Sequence, residues 1–120
     1  MSSRWHTTVV DCVDPQTLAK WWAQLFDVPV VDESANGEEE FVVAPIGEGV
    51  EPYLLFIRVP EPKTVKNRLH IDLNPDDRDA EVERLVAMGA RRVDVGQSDD
   101  VTWVVLADPE GNEFCVLRAR

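Results

Sequence analysis

A few side chains limit the chemistry open to this sequence. His70 stands two residues before Asp72 and four before Asn74, in a segment, Arg68 to Leu73, that reads as a strand. Alternate residues of a strand face the same way, so the imidazole and the carboxylate would share a face. A carboxylate beside an imidazole fixes its tautomer and raises its proton affinity, as in an oriented acid or base. The competing reading is a histidine satisfied within a hydrogen-bond network. Glu113, Cys115 and Leu117 form a second alternating set, with Phe114 and Val116 on the opposite face. Glu113 is open between a pocket carboxylate and a partner for Arg58, Arg68 or Arg118. Cys115 reads first as a buried structural thiol, since no Cys–His pairing is visible along the chain. Thr7, Val9 and Asp11 would share a face of the first strand, and Trp103 could supply an aromatic wall. The acid–base candidates are thus His70 and Glu113, with Thr7, Asp11, Asp72, Trp103 and Cys115 as ligand-binding candidates.

Turns and caps must position these groups. Asp108-Pro109-Glu110-Gly111-Asn112 is a turn in which Pro109 fixes φ and Gly111 and Asn112 tolerate positive φ, so that Glu113 opens a strand. Asp14-Pro15 is an N-cap followed by proline at the first helical position. Leu18, Trp21, Trp22 and Leu25 then recur at helical spacing, which makes the two tryptophans core residues. Around that helix lie β-like segments Trp5 to Val13, Val28 to Asp32, Phe41 to Ala44 and Tyr53 to Val59, with turn residues Ser34-Ala35-Asn36-Gly37 and Gly47-Glu48-Gly49 between them.

After the extended connector Pro60-Glu61-Pro62-Lys63 the order begins again. Arg68 to Leu73 is a strand; Asp76-Asp77 caps a helix with Val82, Leu85, Val86 and Gly89 on one stripe; Arg92 to Val95, Val101 to Ala107 and Glu113 to Arg118 are strands. Asp14-Pro15 answers to Asp76-Asp77, Asp27 to Gly89, and Ile57-Arg58 to Leu117-Arg118. The chain therefore reads as one α+β domain over 1–120, made of two βαβββ modules, about 1–59 and 66–120, joined by 60–65.

Composition narrows the partners. A formal charge of −11 over 120 residues argues against nucleic acid, whose phosphates need clustered cations. Glu38-Glu39-Glu40, the one dense charge run, reads as a solvated loop or strand edge. The apolar runs fall far short of the roughly 20 residues of a membrane helix, and two cysteines make no disulfide framework. A soluble cytoplasmic protein with reduced thiols is expected.

The strand exit Asp11-Cys12-Val13-Asp14-Pro15, the helix residues Leu18-Ala19-Lys20-Trp21-Trp22, the tract from Pro60 through Lys66-Asn67-Arg68-Leu69-His70-Ile71-Asp72-Leu73, and the closing Asp108 to Cys115 occur here in order. With the repeat, they make the chain resemble the vicinal oxygen chelate superfamily, the glyoxalase, bleomycin-resistance and dioxygenase group, and within it the glyoxalase-like domains. The resemblance implies two βαβββ modules paired around a cleft, a homodimer, and often a divalent metal. His70 falls at a ligand position of the family. The first-module positions hold Thr7 and Leu55, His6 is one residue off and so on the opposite face, and Cys115 stands where Glu is usual. With His70 the only matching ligand, no metal site and no cofactor are expected. The expected function is metal-free binding of a small molecule. The alternatives are a metal-dependent lyase, isomerase or dioxygenase, with His70 as the surviving ligand, and a ligand-free dimeric scaffold. The Lys66-Asn67-Arg68 tract is open between a strand-entry hydrogen-bond device and an anion-tolerant rim.

Overall fold

The computed structural model describes residues 3–43, 52–94, 96 and 101–118. The predicted Gly47-Glu48-Gly49 turn, the strand end at Ala44 and the strand residue Val95 lie outside the described residues. Two compact units, Met1–Pro62 and Lys63–Arg120, make up the chain.

In the first unit, strand β1 (Thr7–Cys12) leads into helix α1 (Pro15–Phe26). The Asp14 carboxylate caps the helix, accepting from the Thr17 hydroxyl at 2.8 Å and the Thr17 amide at 3.2 Å. Those two donors hold its pKa below the ordinary carboxylate value. The helix stops at Asp27, whose left-handed backbone (φ 57°) turns its amide back onto the carbonyls of Ala23 and Gln24. Trp21 and Trp22 are buried, with rings edge-on at 5.2 Å, as the helical stripe predicts. Strands β2 (Val30–Asp32), β3 (Glu40–Val43) and β4 (Tyr53–Arg58) complete a sheet of order β1-β4-β3-β2. Asn36 and Gly37, both at positive φ, close the β2–β3 hairpin. The charge run next to it stands at a strand edge: Glu40 opens β3 and Glu39 pairs with Arg58 at 3.0 Å.

Register sorts this sheet into two faces. Val10, Phe56 and Phe41 are successive partners across β1, β4 and β3, and Phe56 and Phe41 are buried with Leu54 and Val43. Thr7, Val9 and Asp11 lie on the other face with their partners Tyr53, Leu55 and Ile57. Trp5 is exposed, whereas Tyr53 is half-buried, because it is inside the β1–β4 ladder and the His6 ring lies edge-on at 5.6 Å.

The second unit repeats the plan: β5 (Asp72–Leu73), α2 (Arg78–Ala87), β6 (Arg91–Arg92), β7 (Val104–Ala107) and β8 (Glu113–Val116), in the order β5-β8-β7-β6. Asp77 caps α2 by accepting from the Ala80 amide at 3.1 Å. Gly89, at φ 110°, follows the helix as Asp27 follows α1. Val82 and Leu85 are buried, as are Phe114 and Val116 of β8, on which α2 packs, and Leu106 of β7. Val86 is 43% exposed, contrary to the predicted stripe. It follows Leu85 by one residue, about 100° further round the helix axis, and so leaves the buried side.

Two strand boundaries differ from expectation in ways that bear on function. The segment 68–71 is not strand, so His70 precedes β5 and is not part of it. Asp72 pairs with Cys115, and continuing that register sets 68 and 69 against Gly111 and Asn112 of the turn, where there is no strand to bond; Ile71 still gives its carbonyl to the Cys115 amide. Trp103 likewise precedes β7. The carbonyl before it, that of Thr102, accepts from the Arg78 guanidinium at 2.6 Å, and among the described residues pairing towards β6 begins at Val105, whose carbonyl accepts from the Val93 amide.

Candidate functional site

The second unit gathers three chemistry-bearing side chains. His70, Asp72 and Cys115 each offer one donor atom, and the three atoms lie within 4.8 Å of one another. The parallel β5–β8 ladder is the cause. Asp72 and Cys115 are register partners, held by the Cys115 amide on Ile71 O (2.9 Å) and the Leu117 amide on Leu73 O (2.8 Å). Partners in register point to one side of a sheet, so carboxylate and thiol meet. The imidazole reaches them from just outside the strand, with Nε2 3.1 Å from Asp72 Oδ1. His70 and Asp72 are close to half exposed, whereas Cys115 is buried. The group thus has an open side and a closed one.

The Cys115 thiol is pushed above its ordinary pKa, first by burial, then by the charge of the Asp72 carboxylate and a hydrogen bond to it; Lys66 opposes this weakly. The neutral thiol is the favoured form. Because the folded state keeps its proton to higher pH than the unfolded chain does, this contribution to stability is intact below the ordinary thiol pKa and is lost as pH rises through the folded value. Alkylation of Cys115, followed by mass spectrometry of its peptide, should therefore be slow at neutral pH. Its rate midpoint should lie above that of an unhindered cysteine. A midpoint below that value would show an activated thiolate and contradict the geometry.

Glu113 is engaged differently. Its Oε2 accepts from Lys63 Nζ at 2.9 Å and its Oε1 from the Asn67 amide at 3.0 Å. None of the three arginines considered as its partner is bonded to it; Arg58 pairs with Glu39. Burial alone would raise the Glu113 pKa, but the Asn67 amide and the Lys63 ammonium outweigh it and hold the carboxylate below its usual range. Glu113 does not join the trio of donor atoms.

The remaining candidates are placed as follows. Thr7 and Asp11 are on β1 of the first unit, where the Thr7 hydroxyl bonds the His6 ring. Trp103 is 40% exposed in the second unit. Asp72 is the residue whose part a sequence reading undervalues: counting family ligand positions passes over it. The signal was the spacing of His70 and Asp72, two residues apart, which needed the register of Asp72 with Cys115 to become a cluster.

As a donor set, one imidazole nitrogen, one carboxylate oxygen and one sulfur fit a divalent ion of the zinc type. Three protein ligands with a remaining open position are the usual number at a reactive site. His70 alone was the expected ligand; Asp72 and Cys115 bring the set to three.

Comparison with known proteins places this geometry. The family model for the glyoxalase-like domain matches residues 7–117. No curated protein matches the chain. Among solved structures, the trypanothione-dependent glyoxalase I of Leishmania major is similar with TM-score 0.74 at 15% identity, over 98% of this chain and 87% of that one. An antibiotic-binding protein from Streptomyces sp. CB03234 is similar with TM-score 0.66 at 18% identity, over 99% and 98%. The fosfomycin resistance protein FosX of Listeria monocytogenes, complexed with Mn(II) and a dihydroxypropylphosphonic acid, is similar with TM-score 0.68 at 14% identity, over 100% and 92%. No described helix is long and apolar enough to cross a membrane. With two βαβββ modules in an α+β fold and a family match over nearly its whole length, the chain belongs to the glyoxalase-like domain family of the vicinal oxygen chelate superfamily.

Proposed function

We propose that the chain is a glyoxalase-like small-molecule-binding protein whose polar binding group is His70, Asp72 and Cys115. The observation that carries this reading is the approach of the imidazole to the carboxylate at 3.1 Å, beside a buried thiol and open to solvent. Asp72 orients the ring, whose other nitrogen is left for a ligand; the protonated thiol gives its one S–H to Asp72 and is a poor nucleophile. A polar ligand with a hydroxyl would suit the remaining ring nitrogen, which accepts on a neutral ring and donates on a protonated one. The homodimer implied by the resemblance and the cytoplasmic setting expected from the composition belong to the same reading.

Thermal unfolding across a panel of metabolites tests it. A ligand that binds only the folded chain stabilises it by RT ln(1 + [L]/Kd), about 2.7 kcal/mol at a hundred times Kd. At least one polar metabolite should raise Tm, and His70→Ala should abolish the rise without lowering the ligand-free Tm. A rise that survives in His70→Ala would refute the assignment, as would a panel without any hit.

The three donors within 4.8 Å favour a second reading, a metal-dependent lyase, isomerase or dioxygenase. His70, Asp72 and Cys115 would hold the ion, and a bound divalent metal supplies Lewis acidity towards a ligand's oxygens. On this chain's side, holding the ion requires Cys115 to give up the proton that burial and Asp72 now favour. Stoichiometric Zn, Ni, Mn or Fe in protein purified without added ions, lost in His70→Ala, would put this reading first.

A further inference from the structure

We infer that Glu113 is a positioning residue: its carboxylate clasps the segment 63–67 to the start of β8 and thereby holds His70 against Asp72 and Cys115. The inference rests on the reading of those three residues as the binding group. His70 needs such a device because it lies outside the ladder: the sheet reaches the chain only at the next residue, Ile71, whose carbonyl accepts from the Cys115 amide. Both oxygens of Glu113 take up donors from the segment 63–67, the Asn67 amide on Oε1 and Lys63 Nζ on Oε2. Asn67 Nδ2 returns a longer contact, 3.4 Å, to the Glu113 carbonyl. The side chains of Lys63 and Glu113 are only 18% and 12% exposed, so water competes weakly for the pair. Thus the amide three residues before His70 is fixed to the residue two before Cys115, and the ring's reach to Asp72 is set from both ends. A carboxylate so occupied is not available to a ligand, which gives Glu113 a role other than acid or base.

Isotope-edited NMR of the full chain tests this through the contact between the His70 ring and the Cys115 β-protons. The wild-type chain should show the contact, and its absence there would overturn the inference, since no ring would be held. Glu113→Ala should lose the contact while the β7 and β8 amides keep their shifts. Exchange of the Asn67 amide should speed by roughly ten- to a hundredfold, the effect of losing one charge-assisted hydrogen bond. Glu113→Gln, which keeps an acceptor for Asn67, should restore much of the contact; a purely structural role would lower Tm and leave the ring in place. If Glu113→Ala does not fold, Glu113→Gln with Lys63→Met carries the test: the contact should weaken severalfold, and an unchanged contact overturns the inference. A chain that shows the ring contact but binds no metabolite defeats the functional reading alone.

Discussion

Phe56→Ala is expected to lower the free energy of unfolding by about 3–5 kcal/mol, a large share of the roughly 5–15 kcal/mol that holds a domain of this kind together. Phe56 is fully buried at the middle of β4, partnered by Val10 of β1 on one side and Phe41 of β3 on the other. Removing the ring forfeits its transfer free energy. It also leaves a cavity that neighbouring strands cannot close, because their spacing is fixed by ladder hydrogen bonds. The matching control is Val9→Ala on the opposite face of the same sheet. Val9 is 50% exposed, and its truncation should change stability by no more than about 0.5 kcal/mol. Urea titrations should show the two variants with similar slopes and widely separated midpoints. A loss below about 1 kcal/mol for Phe56→Ala would mean that the register described for β1, β4 and β3 does not hold.

That contrast between faces was readable in advance, because local chemistry determines it. Asp14-Pro15 announces a helix start, and the structure puts a capped α1 there. Trp21 and Trp22 fall on the apolar stripe and are core. Asn36-Gly37 is the dipeptide that a tight hairpin needs, and both residues take positive φ. The matched ends of the helices, Asp27 and Gly89, share left-handed backbone, so the internal repeat was visible too.

What escaped the sequence was non-local. The strand predicted from Arg68 could not begin there, because the residues that 68 and 69 would face, Gly111 and Asn112, lie in the turn before β8. Lys63 and Glu113 are fifty residues apart along the chain, and no spacing rule pairs them ahead of the nearby arginines. The convergence of Asp72 on Cys115 required a parallel register between strands forty residues apart, which periodicity does not specify. Local signals thus marked out the scaffold, and pairing between distant segments made the candidate site.

The turn before β8 joins those two levels, and Asp108→Ala should expose the link. Asp108 is 1% exposed, the one buried charged residue among the described core. Its Oδ1 accepts from the Glu110 and Asn112 amides, each at 2.9 Å, and both oxygens accept from Asn112 Nδ2, at 3.2 and 3.0 Å. Its backbone closes the same loop, through the Asp108 amide on Asn112 O and the Gly111 amide on Asp108 O. Alanine would remove the carboxylate acceptor from two part-buried amides at about 1–3 kcal/mol each, so a loss of roughly 3–5 kcal/mol is expected. Asp108→Asn should lose less: its oxygen can still serve the amides, while its NH2 meets the donor side of Asn112. Since Glu113 opens β8 directly after this turn, Asp108→Ala should also loosen Glu113 and Cys115 below the urea midpoint, seen as faster alkylation of the Cys115 peptide. If Asp108→Ala destabilised the chain by under about 1 kcal/mol, or left Cys115 as protected as before, the turn would not be what sets the start of β8. The placement of Cys115 beside Asp72 would then need another cause.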